Sequence, residues 1–215
     1  MHFKSPPGDG EAARMSAGRD EGARENPAAH GHGPSEPSAW VRRFASLVTP
    51  GGAVLDLACG AGRHARLFLA RGHKVTALDR DLSGIADLAG APGLERVEAD
   101  LEGGPWPLPG RRYAGVVVVN YLWRPLFPAL IDALAPEGVL LYETFARGNE
   151  RFGKPSNPAF LLAPDELLER VRGRLAIVAF EQGLVAAPRP AVVQSLCAVK
   201  APRVPEGFSA LPRDA

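Results

Sequence analysis

Three features of the stretch VLDLACGAGRHARLFLARGHKVTALD, residues 54–79, have chemical consequences. Asp56 sits near the end of an apolar run. Gly60 and Gly62 follow in a loop of small residues. Asp79 closes a second apolar run, 19 residues beyond Gly60. Glycines in such a loop let the backbone approach a ligand with no side chain in the way. GAGRHA also fits the dinucleotide fingerprint G-x-G-x-x-[GA]. A carboxylate just before those glycines argues against a pyrophosphate there, because like charges in a partly dry site repel strongly. A ligand with a positive centre and an amino group suits the acid instead. Asp79 is placed to accept hydrogen bonds from both hydroxyls of a ribose. Asp100, in VEADLEG, is placed to accept from an adenine amino group. S-adenosylmethionine carries the sulfonium, the ammonium, the ribose and the base that such a set of acids addresses.

The acids need strands to carry them. Ala53–Ala58, Lys74–Asp79 and Leu94–Ala99 read as three strands ending at Asp56, Asp79 and Asp100. Tyr113–Asn120, with GVVVV at its heart, does not alternate, so it is a central parallel strand covered on both faces. Val139–Thr144 is a fifth strand. Helices are expected from Ser38, with Trp40, Phe44, Leu47 and Val48 on one face, and over Gly62–Arg71, with Leu67, Phe68 and Ala70 inward and Gly72 at its C-terminal end. Further helices are expected over Leu82–Ala89, Leu126–Leu134 and Pro164–Arg172. Leu175–Gln182 and Ala191–Val199 are strand-like runs with no helix between them, an antiparallel pair. Strand and helix alternate at βα spacing, which predicts an α/β fold: a seven-stranded, mostly parallel, doubly wound sheet with a terminal antiparallel hairpin. Ligands of such sheets lie at the carboxyl ends of the strands, so the loop Ala58–Arg63 is the place to look.

The chain has 215 residues, enough for one domain with a substantial core, and its 46% hydrophobic and 23% charged residues are ordinary for a globular protein. Residues 1–36 are rich in Gly, Pro, Ala and charge and read as a disordered tail. Residues 37–201 form the single domain, and residues 202–215 a loose C-terminal tail. His30 and His32 fall in the first tail and read as solvated side chains. A net charge of +1 gives no electrostatic case for nucleic acid or a membrane surface. No apolar stretch approaches the ~20 residues of a membrane span. Cys59 and Cys197 have no metal-ligand spacing and read as reduced thiols of a cytoplasmic protein; no metal is expected. Nothing in the sequence specifies an oligomer.

VLDLACGAGRH, ALD and VEADLE resemble the first three cofactor motifs of the class I S-adenosylmethionine-dependent methyltransferases, a Rossmann-like fold whose sheet also ends in an antiparallel hairpin. YETFARGNERFGKPSNPAFLLAPDELL and QSLCAVK are similar to the bacterial tellurite-resistance-type (TehB-like) methyltransferases. The resemblance spans residues 38–200. It implies S-adenosylmethionine as cofactor and S-adenosylhomocysteine as product. It puts Asp56, Ala58, Gly60, Gly62 and Arg63 on the cofactor side, with Asp79 and Arg80 after the second strand, Asp100 and Leu101 after the third, and Asn120 after the fourth. Arg63 is assigned to the methionine carboxylate. The chain departs from the class at Ala58, where glycine is usual, and at Tyr113-Ala114-Gly115, where an acid often stands.

Methyl transfer from a sulfonium is an in-line displacement in which the protein supplies position, and a base is needed only when the nucleophile keeps its proton. The implied acceptor is a small molecule such as a thiol, a metalloid oxyanion or another small anion. Asn120, Tyr121 and Arg124 lie where the acceptor enters, with Phe145 at the mouth. Tyr121 has two readings: it orients or deprotonates a nucleophile, or it is a rim aromatic packed on the next helix. Glu143 is either a general base or a structural acid that pins a loop. The segment RGNERFGKPSNPAFL, with Arg147, Arg151, Phe152, Lys154 and Phe160, is either a lid suited to an anionic or amphipathic acceptor or a rigid loop capped by Asn149 and Asn157. His64 is read as a group near the methionine carboxylate or facing solvent, Cys59 as a small buried filler, and Trp123 as packing or cofactor contact. The class also suggests an N-terminal helix with Trp40 and Arg43 closing over the cofactor. Competing functions are an RNA or DNA base methyltransferase, for which NYLW has the asparagine but not the two prolines of [DN]-PP-[FYW], a non-catalytic cofactor-binding protein and, more distantly, a nicotinamide enzyme.

Overall fold

The structure, a computed structural model, describes residues 36–187 and 189–200. The tails over 1–35 and 201–215, with His30 and His32, lie outside the described residues. Seven strands make one sheet: β1 (Ala53–Leu57), β2 (Lys74–Asp79), β3 (Leu94–Glu98), β4 (Tyr113–Val119), β5 (Leu134–Phe145), β6 (Ala176–Val185) and β7 (Ala191–Val199). Their order is β3-β2-β1-β4-β5-β7-β6. The first five run parallel, and β7 is antiparallel to both β5 and β6. The chain leaves β1 toward one edge and returns at β4 to build the other. The carboxyl ends of β1 and β4 therefore flank the point where the strand order reverses, where ligands of open α/β sheets bind.

Two apolar layers divide by strand parity. Leu55, Leu57, Val116, Val118, Leu140 and Tyr142 face α3 (Phe127–Ala133) and α4 (Glu166–Val171). Val54, Val75, Ala77, Val117, Val119, Leu141 and Cys197 face α1 (Ala39–Phe44) and α2 (Arg63–Ala70). Alternation along a strand carries this assignment one step further. Asp56, Asp79, Glu143 and Ser195 fall on the α1/α2 face: Asp79, Glu143 and Ser195 in the row nearest the sheet's functional end, and Asp56 one row behind, level with Ala77 and Val117.

The expected elements are present, with local differences. The N-terminal helix tightens into a 3-10 turn over Ala45–Leu47, which turns Leu47 outward to 43% exposure, and Val41 fills the inner face in its place. Ala70 is exposed at the end of α2, whose buried positions are His64, Ala65 and Phe68, because two residues beyond Phe68 is about 200° around the helix. The segment after β2 is a kinked 3-10 helix, Ser83–Leu88, rather than an α-helix. No helix among the described residues is long and apolar enough to cross a membrane.

Candidate cofactor and acceptor site

The loop after β1 takes three left-handed residues: Ala58 (φ 53°), Gly60 (φ 52°) and Gly62 (φ 70°). This conformation costs an L-residue about 1–2 kcal/mol and glycine nothing. At Gly62 a Cβ would also lie 2.4 Å from Ile85 Cγ2, and at Gly84 it would lie 2.7 Å from the Gly60 carbonyl oxygen. The 3-10 helix after β2 thus packs directly under the loop, and Gly84 is a requirement that the sequence reading missed. At Ala58, where the class has glycine, the strain is real. Ala58→Gly is expected to raise stability by about 0.5 kcal/mol, the relief of strain less the added freedom of the unfolded chain, as read from denaturant midpoints.

Asp56 is 1% exposed, and its Oδ2 accepts the Ala65 N–H at 2.8 Å from the first turn of α2. Burial raises its pKa to about 7, against the lowering effects of that hydrogen bond and of Arg63, while Asp79 adds to the rise. Its Oδ1 lies 3.8 Å from His64 Nδ1. His64 is buried, not solvent-facing, and its Nε2 accepts the Ser38 N–H at 3.2 Å. The ring is therefore neutral with its proton on Nδ1, toward Asp56. Burial first, then Arg63, push its pKa down to about 3.

Asp79 ends β2 with Oδ2 on the Gly60 N–H (2.8 Å) and Oδ1 on the Asp81 N–H (3.3 Å). One acid therefore fixes the loop while still standing at its mouth. Arg80 is exposed beside it. Arg63 is half-buried, its guanidinium 3.3 Å from the Glu36 carbonyl oxygen; burial lowers its pKa, and Glu143 and Asp56 oppose the fall. Asp100 is exposed and accepts the Glu102 N–H in a two-residue turn (2.9 Å), with Leu101 buried behind it. Asn120 leaves β4 in a left-handed conformation (φ 59°), its backbone N–H on the Glu143 carbonyl oxygen. Burial, with Asp56 and Asp79 close by, raises the pKa of the Cys59 thiol and keeps it protonated.

On the acceptor side the structure gives each residue a definite setting. Tyr121 is 6% exposed within the α3/α4 core, and burial, with Glu102 close by, pushes its pKa up. It stays a phenol at neutral pH, which leaves orientation rather than deprotonation open to it. Arg124 forks onto Glu166 (2.8 and 2.9 Å) and donates to the carbonyls of Ala159 (2.6 Å) and Leu161 (2.9 Å). It braces the segment after β5 rather than standing open to a ligand. Burial works against an ionised Glu166, but hydrogen bonds from Arg124, the Ala163 N–H and Arg170 hold its pKa down to about 2.

That segment is tied at its neck, where Arg147 N–H meets the Leu162 carbonyl and Leu162 N–H the Phe145 carbonyl. Buried Asn149 bridges the Pro155 carbonyl and the Val192 N–H, and Asn157 caps the Ala159 N–H. It is a braced loop that carries Arg147, Arg151, Phe152 and Lys154 exposed on its surface. Arg151 turns back toward its own Gly148 carbonyl. Phe145 is partly exposed at the end of β5, and Trp123 packs at the edge of the α3/α4 core. Arg43 pairs with Glu181 of β6 at 2.8 Å and stacks on Phe44 and Trp40, so it faces the terminal hairpin.

Glu143 has both carboxylate oxygens occupied. Oε1 accepts the Ser38 hydroxyl (2.8 Å) and Oε2 the Ser195 hydroxyl (2.9 Å). Ser38, Ser195 and buried Gln194, which holds the start of α4 through the Ala163 carbonyl and the Leu167 N–H, are the site's polar supports that sequence reasoning missed.

Residues 38–100 match the family model described as Tellurite resistance protein TehB, under a third of the chain. No curated protein is similar enough to count as a match. Among solved structures, TehB from Haemophilus influenzae is similar over 76% of this chain, with TM-score 0.65 and 18% identity; the chain spans 62% of that protein's length. The glycopeptide N-methyltransferase MtfA, complexed with S-adenosylhomocysteine, matches at TM-score 0.55 and 22% identity over 78% of this chain and 91% of its own. The 1,6-didemethyltoxoflavin-N1-methyltransferase of Burkholderia thailandensis, with bound 1,6-didemethyltoxoflavin and S-adenosylhomocysteine, matches at TM-score 0.56 and 22% identity, covering 76% of each chain. With this strand order throughout and residues 38–100 similar to the TehB family model, the chain has the Rossmann-like α/β fold of the class I S-adenosylmethionine-dependent methyltransferases.

Proposed function

We propose that the chain binds S-adenosylmethionine across the carboxyl ends of β1, β2, β3 and β4 and transfers its methyl group to a small-molecule acceptor. The observation that carries this reading is Asp56. It is a buried carboxylate hydrogen-bonded under the glycine loop through one oxygen only, and burial outweighs the pull of Arg63 on it, which leaves room for a closer cationic partner. A ligand with a positive amino end supplies that partner. Asp56 and Arg63 are assigned to the amino-acid end, Asp79 to the ribose, and Asp100 with Leu101 to the base.

S-adenosylmethionine, when bound, supplies a methyl group already activated by its sulfonium. The chain's part is to orient, to exclude water and to place the acceptor. Asn120 at the end of β4 and Phe145 at the end of β5 border the acceptor's path. Arg147, Arg151 and Phe152 offer cationic and apolar contacts on the braced loop. That set suits a small anion, a metalloid oxyanion or a thiolate, none of which needs a base. It also agrees with the small-molecule acceptors named for the two N-methyltransferases of similar fold.

The test is transfer of labelled methyl from S-adenosylmethionine to a panel of thiols, metalloid oxyanions and other small anions. Turnover of one class, weakened by removing Arg147 and Arg151 together, supports the reading. Binding of the cofactor without transfer to any acceptor would favour a non-catalytic binding protein. Preferential methylation of RNA, with steep salt dependence, would move the acceptor to nucleic acid.

A further inference from the structure

Residues 36–38 lie against the first turn of α2, directly after the glycine loop. Arg63 reaches the Glu36 carbonyl, and His64 accepts the Ser38 N–H. Ser38 is a junction. Its hydroxyl donates to Glu143 Oε1 and accepts the Val41 N–H as the cap of α1, while its carbonyl accepts the Arg42 N–H. Glu143 is held from its other side by Ser195, which is its direct cross-strand partner in the β5–β7 pairing. A continuous polar chain therefore runs Ser195–Glu143–Ser38–His64–Asp56, from the terminal hairpin to the cofactor strand. Every link except the last, at 3.8 Å, is within hydrogen-bond distance.

The direction of the donors is fixed along this chain. The Ser38 hydroxyl donates to Glu143, so its lone pair is left for Val41. The Ser38 N–H takes His64 Nε2, so the remaining ring proton sits on Nδ1, facing Asp56. A general base needs a carboxylate oxygen open to the acceptor, and both oxygens of Glu143 are bonded to hydroxyls.

We propose that Glu143 is a positioning residue: through Ser38 it holds the start of α1 over the glycine loop and keeps the Ser38 N–H on His64, which packs beside Asp56. The proposal rests on the cofactor reading given above. It predicts that loss of Glu143 weakens cofactor retention without removing a catalytic group.

S-adenosylhomocysteine is titrated into the wild type, Glu143→Ala, Ser38→Ala, the double variant and Ser38→Thr, with amide exchange followed over residues 39–44. Glu143→Ala leaves the hydroxyl cap of α1 intact, so it separates the relay from simple loss of a cap. Each alanine variant is expected to bind about tenfold more weakly, chiefly through a faster off-rate, and the double variant no more weakly than the worse single one. Ser38→Thr keeps the hydroxyl and should bind within about twofold of wild type. Exchange over 39–44 should rise about tenfold in Glu143→Ala while the rest of the sheet stays protected. Wild-type affinity and unchanged exchange in Glu143→Ala would overturn the proposal. So would effects that multiply to about a hundredfold in the double variant, since independent contacts add in free energy. If the wild type itself fails to bind, the cofactor reading falls, and the exchange measurement still decides whether Glu143 holds α1 through Ser38.

Discussion

Asp56→Asn is expected to make the protein more stable and the cofactor site much weaker. The carboxylate is buried, and burial raises its pKa from 3.8 to about 7. A shift of that size is worth roughly 4 kcal/mol of destabilisation once the group is ionised. The sign follows from the protons bound. Between 3.8 and about 7 the folded chain holds a proton that the unfolded chain has lost, so this group's contribution makes stability fall as pH rises through that window. Asparagine keeps an oxygen for the Ala65 N–H and removes the slope. Denaturant unfolding near about pH 8 should show the variant more stable by about 1–3 kcal/mol, the remainder being lost where its amide faces the His64 N–H; near about pH 4 the gain should vanish. Binding should move the other way. A cationic ligand needs the ionised acid, so wild-type affinity for S-adenosylmethionine should rise with pH through about 7. In the variant it should be about a hundredfold weaker, or about 2.8 kcal/mol, and flat with pH. Equal affinities at high pH would place the ligand's amino end elsewhere.

Gly62→Ala should be strongly destabilising. The residue has φ 70°, and its Cβ would stand 2.4 Å from Cγ2 of Ile85, which is fully buried. Left-handed strain of about 1–2 kcal/mol and overpacking of about 1–3 kcal/mol together predict a loss of roughly 2–5 kcal/mol. The steric part has a signature: Ile85→Ala should cost less in the Gly62→Ala background than in the wild type, because the clash is then absent. Full additivity in a double-mutant cycle would mean that the loop is held by something other than the Gly62–Ile85 contact.

These two positions also show what a sequence makes legible. Asp56, the glycines and Asp79 were readable because they lie close together in the chain, on either side of one strand–loop–helix–strand unit whose periodicity is plain. β2 begins and ends where the apolar run does. Glu143 was ambiguous because its partners are remote: Ser38 lies 105 residues away and Ser195 lies 52 away. Their meeting depends on β7 inserting between β5 and β6, on parity placing Glu143 and Ser195 on the α1 face, and on Ser38 standing at the start of α1. Arg124 looked open to a ligand for the same reason, since Glu166 and the Ala159 and Leu161 carbonyls approach it only after the loop folds back. Of the misplaced apolar residues, Leu47 lies in a 3-10 turn that rotates it off the inner face, and Ala70 lies two residues beyond Phe68, on the far side of α2.

The claim beneath this account is that the acids at the strand ends hold a sulfonium nucleoside, and Asp79 is the place to measure it. Thermal unfolding is recorded with and without S-adenosylhomocysteine for the wild type and for Asp79→Ala, each against its own ligand-free midpoint. Ligand at about a hundredfold over its dissociation constant should stabilise the wild type by about 2.7 kcal/mol, a shift of several degrees, and most of that shift should be missing from the variant. A shift of the same size in both proteins would contradict the account.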